Sequence, residues 1–180
     1  MNRYSKLYQE GIEMAKIIKC RVIHSHNKPF GAGRFKSYGV ITLSKKSKNT
    51  MEGVYALYHE LSHALDYLNG KFPKWFDCKW KSNQWIPLSY IRRFEGSACQ
   101  QAKNYLIHKK VPLKQLNNIP ENTKSGFEEC LLTYWLPKYN KLNPKIVEKW
   151  VKKLNEKVKV RNNGSSRNGR KSGRSGCKNC

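Results

Sequence analysis

The chain predicts an α+β domain, rich in helix with one small sheet and one functional helix, followed by a disordered basic tail. Three observations carry this. Apolar residues recur at helical spacing in several separate segments, from residue 3 to about residue 159. Two short β-rich runs precede the second of those segments. From Arg161 to Cys180 the composition changes: there are six Lys/Arg, no acid and no large apolar side chain among abundant Gly, Ser and Asn. Such a stretch cannot bury enough apolar surface to fold. The domain is therefore expected over residues 1–160 and the tail over 161–180.

Residues 3 to 19 predict a first helix, with Leu7, Gly11, Ala15 and Ile18 on one stripe. Arg21 to His24 predicts a short strand. Asn27 to Ser37 holds Pro29, Gly31 and Gly33 and predicts a loop. Tyr38 to Ser44 (YGVITLS) predicts a second strand, placed to offer a sheet edge to an extended ligand. Thr50 suits an N-cap, Glu52 a first helical turn, and Asn69-Gly70 a stop. Between them Val54, Leu57, Leu61, Ala64, Leu65 and Leu68 fall within roughly 100° of arc, and His59, His63 and Asp66 lie opposite, facing something polar. Tyr55, Ala56 and Tyr67 flank that front and suggest a lined cleft.

Residues 71 to 89 mix Phe72, Trp75, Phe76, Trp80 and Trp85 with lysines. This pattern packs a long connection onto a core while the lysines reach water, although it also suits stacked bases. Residues 90 to 108 predict a helix with a stripe of Ile91, Phe94, Ala98, Ala102, Tyr105 and Leu106. Glu95 falls inside that stripe. A buried lone carboxylate is costly, so it needs a cation or a metal as partner. A short helix is expected over 125–136 and an amphipathic one from Pro144 to about Lys159, capped by Asn143.

The net charge of +24, from 36 Lys+Arg against 12 Asp+Glu, is the strongest compositional signal. It draws polyanions, and non-specific nucleic acid is the first partner to expect, through the surface and through Arg161, Arg167, Arg170, Lys171, Arg174 and Lys178. No apolar run resembles a signal peptide or a membrane span. An intracellular protein with reduced cysteines is expected, and one associated with a virion is also compatible. Cys177 and Cys180 form a single C-x-x-C, and a zinc ribbon needs two.

His59-Glu60-Leu61-Ser62-His63 reads H-E-x-x-H. With five His, chance places this pattern in the chain about 0.008 times. Two histidines at i and i+4 on a helix grip one metal ion, and the glutamate between them lies beside the metal's water. A catalytic zinc site needs three protein ligands and one open position. His59 and His63 supply two, and Glu95 is the first choice for the third. Asp66 is the rival, better placed to orient a histidine ring; Glu128 and Glu129 are weaker alternatives. One Zn2+ per chain would let Glu60 act as general base in hydrolysis. Tyr90 is a candidate donor to the oxyanion.

Tyr58-His59-Glu60-Leu61-Ser62-His63-Ala64-Leu65-Asp66-Tyr67, followed by Arg93-Phe94-Glu95-Gly96-Ser97-Ala98, resembles the gluzincin branch of zincin metallopeptidases. It is most similar to small lethal-factor-like and phage or viral peptidase domains, which carry H-E-x-x-H-x-x-D and a glutamate on a later helix. The resemblance covers about residues 38 to 108. It implies a zincin-like fold, zinc ligands His59, His63 and Glu95, and catalytic Glu60. The metzincin glycine and third histidine are missing, and His108 is the only later histidine. The expected function is zinc-dependent peptide-bond hydrolysis. The alternative is a nucleic-acid-binding or virion-associated basic protein with an inactive zincin scaffold.

Overall fold

The computed structural model describes residues 2–36, 39–73, 75, 84–132 and 143–165, apart from the side chains at 154, 155 and 157–165. The first of two compact units ends at Leu142 and the second begins at Asn143. The first is helix-rich with a small mixed sheet, an α+β arrangement as expected.

Helix α1 (Arg3–Ile17) is capped by Asn2, whose side chain accepts from the amides of Tyr4 and Ser5. It buries Leu7, Tyr8, Gly11 and Ala15. Strands β1 (Arg21–Ser25), β2 (Gly33–Lys36) and β3 (Val40–Ser44) follow. Their order in the sheet is β1-β3-β2, with β1 parallel and β2 antiparallel to β3. Two expectations are corrected here. The segment expected as a loop over 27–37 contains β2, which pairs from Gly33↔Leu43 to Lys36↔Val40. Gly39 makes the reversal possible: it sits at φ +79° and donates its amide to the Lys36 carbonyl at 2.9 Å. β3, the described strand of the YGVITLS run, is the central strand, and the edge near the motif helix belongs to β2.

Helix α2 (Met51–Leu68) starts where Thr50 accepts a hydrogen bond from the Gly53 amide, and it ends before Gly70 at φ +66°. It is packed by α1, β2, β3 and α3 (Leu88–His108). A Cβ at Gly11 would come within 2.5 Å of a Leu57 methyl, so α1 crosses α2 closely. The Tyr58 hydroxyl donates to the Leu7 carbonyl at 3.1 Å, and its ring stacks on Tyr105 of α3 at 4.4 Å. Residues 53 to 64 of α2 are all buried. The polar front expected opposite the apolar stripe does meet polar groups, and α3 and β2 cover it. At the far end Leu68 of the expected stripe is exposed.

Phe72 packs on Phe94 and Tyr67, and Trp75 on Tyr90, which is the packing arrangement for the parts of the aromatic connection that are described. Among the described residues of the unit, helices α4 (Leu113–Asn117) and α5 (Lys124–Cys130) follow, flanking a short 3-10 turn at Pro120–Asn122. The second unit holds α6 (Pro144–Ser165), entered as expected through Asn143, whose side chain accepts from the Lys145 amide at 3.1 Å. The helix runs past Lys159 to Ser165, so Arg161 is helical and not part of a disordered tail. Arg167, Arg170, Lys171, Arg174, Lys178, Cys177 and Cys180 lie outside the described residues. Among the described residues no helix is long and apolar enough to cross a membrane.

Candidate metal centre

Helical spacing does most of the local work. On α2, His59 and His63 stand one turn apart, with ring centroids 4.6 Å apart at 87°. On α3, Glu95 falls on the side that packs against α2, along with Ile91, Ala98 and Ala102. Its Oε2 lies 3.1 Å from His59 Nε2 and 3.2 Å from His63 Nε2. One carboxylate oxygen therefore faces both imidazoles. His59, Glu60, His63 and Glu95 are exposed by only 5%, 7%, 4% and 4%, so the cluster belongs to the helix interface.

The three ligand atoms fit a metal ion. All lie within 4.8 Å of one another. Zinc–nitrogen and zinc–oxygen bonds of 2.0–2.2 Å at a tetrahedral angle place neighbouring donors about 3.3 Å apart. The two histidine–carboxylate separations, 3.1 and 3.2 Å, are close to that edge length. Of the alternatives for the third ligand, Glu128 pairs with Arg92 at 3.3 Å and Glu129 is exposed.

Asp66 is corrected in role. It is buried, but it accepts from Lys71 Nζ at 2.7 Å, Gln101 Nε2 at 3.0 and 3.1 Å, and Ser97 Oγ at 3.2 Å. It ties α2 to α3 two residues beyond Glu95 and orients no histidine. His63 Nδ1 is buried with no hydrogen-bond partner. The His63 ring is held instead by stacking on Phe94, at 4.0 Å and 18°. Tyr90 sits half-buried in the first turn of α3, its ring 5.1 Å from Trp75. Burial raises its hydroxyl's pKa, with Arg93 opposing and Asp66 adding.

Glu60 turns away from Glu95 toward the sheet. Its Oε2 accepts the Phe35 amide of β2 at 2.5 Å. A Cβ on Gly33 would meet Glu60 Cγ and Oε1 at 2.7 Å, so only glycine lets β2 come this close. Burial raises the pKa of Glu60, while the two histidines and the Phe35 amide pull it down.

Three further neighbours of the cluster carry no motif, and of these the sequence places only Tyr55 beside the histidines. Cys99 Sγ lies 3.6 Å from His59 Nδ1. Its one sequence signal is the i+4 spacing from Glu95, which puts both on one helix face. Tyr55 is buried, its ring 6.1 Å from His59 and its hydroxyl beside Cys99 and Glu121. Burial raises the pKa of Glu121, with His59 opposing and Glu95 and Glu60 adding.

The charge pattern predicts a pH dependence for the metal-free fold. Burial works against an ionised Glu95, but His63 and His59 outweigh it and hold its pKa well below the usual carboxylate range. Burial also works against a charged His59, but Cys99 and Glu95 outweigh it and raise its pKa well above the usual value. The depressed Glu95 contributes stability above its unfolded pKa, and loses it as pH falls. The raised His59 contributes stability below its unfolded pKa, and loses it as pH rises. The unfolding midpoint of metal-free protein should peak between the two unfolded values, about 4.3 and 6.5. A midpoint that climbs steadily to pH 8 in a denaturant series would refute this pairing.

Comparison with protein families, with characterised proteins and with solved structures finds no match to this chain.

Proposed function

We propose that this protein is a zinc-dependent metallopeptidase of gluzincin type, with a zincin-like core formed by the sheet, α2 and α3. The observation that carries the reading is the convergence of His59, His63 and Glu95 on one point, with Glu60 next to His59 on the same helix. His59 Nε2, His63 Nε2 and a Glu95 oxygen would hold the ion. When bound, zinc supplies Lewis-acid activation of water and of the scissile carbonyl. Glu60 takes the water's proton and passes it to the leaving amine. Its raised pKa strengthens it as a base, and the Phe35 amide holds one of its carboxylate oxygens in place. Helix α3 and the Phe94 stack keep bulk water from the ligands. The deciding experiment is metal analysis of purified protein joined to a peptide-library digest. Zinc near one per chain with cleavage supports the reading; neither refutes it.

The net charge of +24 favours a second property compatible with the first, non-specific binding to nucleic acid. Truncation after Ser165 removes five cations, Arg167, Arg170, Lys171, Arg174 and Lys178. If all five meet duplex phosphates, the log–log salt slope should fall by up to about 4.5. A slope unchanged by truncation would remove the tail from the contact. Binding without peptide hydrolysis would favour a basic binding protein on an inactive scaffold.

A further inference from the structure

We propose that the Cys99 thiol positions His59 as a metal ligand, its sulfur accepting the Nδ1–H hydrogen bond that leaves Nε2 free to face Glu95. The inference rests on the metal-site reading above. Both ring nitrogens of His59 are engaged, Nε2 by Glu95 at 3.1 Å and Nδ1 by Cys99 Sγ at 3.6 Å. The two partners lie one turn apart on α3, so a single helix grips both ends of one imidazole. A neutral imidazole that offers Nε2 to a metal must carry its proton on Nδ1, and whatever accepts that proton fixes the tautomer and the ring plane.

The usual acceptor is a carboxylate or a carbonyl. Here a carboxylate would be costly. Glu95 and Glu60 are buried at the cluster, and Glu121 is close enough for its charge to act on both. A further negative charge among them would be repelled. A thiol accepts weakly and carries no charge. The contrast with His63 supports a specific role. The Nδ1 of His63 is buried without a partner, and its ring is held by stacking on Phe94. One ligand is thus placed directionally and the other by ring contact. The Tyr55 hydroxyl, buried beside Cys99 and Glu121, marks this pocket as polar on the side of His59 away from Glu95.

The test uses the full chain and zinc alone. Cys99→Val keeps the pocket filled but removes the acceptor, and Cys99→Ala removes both. Zinc affinity, read by competition with a chromophoric chelator, should fall about 10–100-fold in each. In zinc-loaded protein labelled with 15N-histidine, the His59 Nδ1–H proton should move upfield in both variants while that of His63 stays in place. Unchanged affinity and an unmoved resonance in Cys99→Val would overturn the proposal. Should neither variant fold, wild type decides: the Nδ1–H of His59 should resonate downfield of His63's, and equal shifts would overturn it. Loss of zinc in His63→Ala but not in Cys99→Val defeats this inference alone. No zinc binding by the wild type defeats the metal reading with it.

Discussion

Glu95→Ala should lower zinc affinity by more than about 10²-fold. Residues that only support a metal ligand are typically worth 10–100-fold, and Glu95 is assigned as a ligand itself. Its Oε2 faces both imidazole Nε2 atoms at 3.1 and 3.2 Å, and alanine leaves the ion two protein donors in place of three. His63→Ala should act alike, because it removes a donor from the same point. Asp66→Ala is the informative control. Asp66 accepts from Lys71, Ser97 and Gln101, so its loss should cost about 1–3 kcal/mol of stability through the partners left unpaired. Zinc affinity should hardly change. Chelator competition on the three variants, with denaturant unfolding in parallel, separates the roles. Full affinity in Glu95→Ala with loss in Asp66→Ala would reverse the ligand assignment.

Glu60→Gln should keep zinc and lose hydrolysis by ~10²–10⁴-fold, the range that general base catalysis contributes. The amide preserves the shape of the side chain and can still accept the Phe35 N–H through its oxygen, so β2 stays in place. What it cannot do is take a proton at neutral pH. Glu60→Asp gives a second measure. It keeps the charge but shortens the reach by one methylene, which should break the contact to Phe35 and reduce turnover less than Gln does. Cleavage of a peptide library at the wild-type rate by Glu60→Gln would remove Glu60 from the mechanism.

Much of the site was legible because helical spacing is a strong local code. Thr50, Gly70 and the apolar repeat between them are enough to define α2, and the misplaced carboxylate in the stripe of α3 singles out Glu95. The failures have a common cause in tertiary contact. Strand β2 is short, begins with glycine and lies in a Gly/Pro-rich stretch; pairing with β3 and the bond from Phe35 to Glu60 hold it, and local propensity does not. The polar front of α2 implies a polar partner without naming it, because Glu95 and Cys99 come from a helix more than thirty residues away. Asp66 shares the histidine face by angle, but Ser97 and Gln101 reach it first. Tyr55 stands one helical turn before His59 on α2, a neighbour that spacing provides, whereas Glu121 follows no spacing rule and reaches the cluster only through the 3-10 turn.

The clasp between Glu60 and β2 also limits how a peptide could be read. An extended chain aligned on an open strand reads that strand's outward amides and carbonyls one after another. Arg34 lies opposite Thr42 and Lys36 opposite Val40 on β3, and the amide of Phe35 faces the other way, where the proposed base already occupies it. A guest strand passing Phe35 would have to take that hydrogen bond from the residue proposed as the general base. Recognition and proton transfer would then compete for one N–H group, and productive binding would depend on a register that skips it.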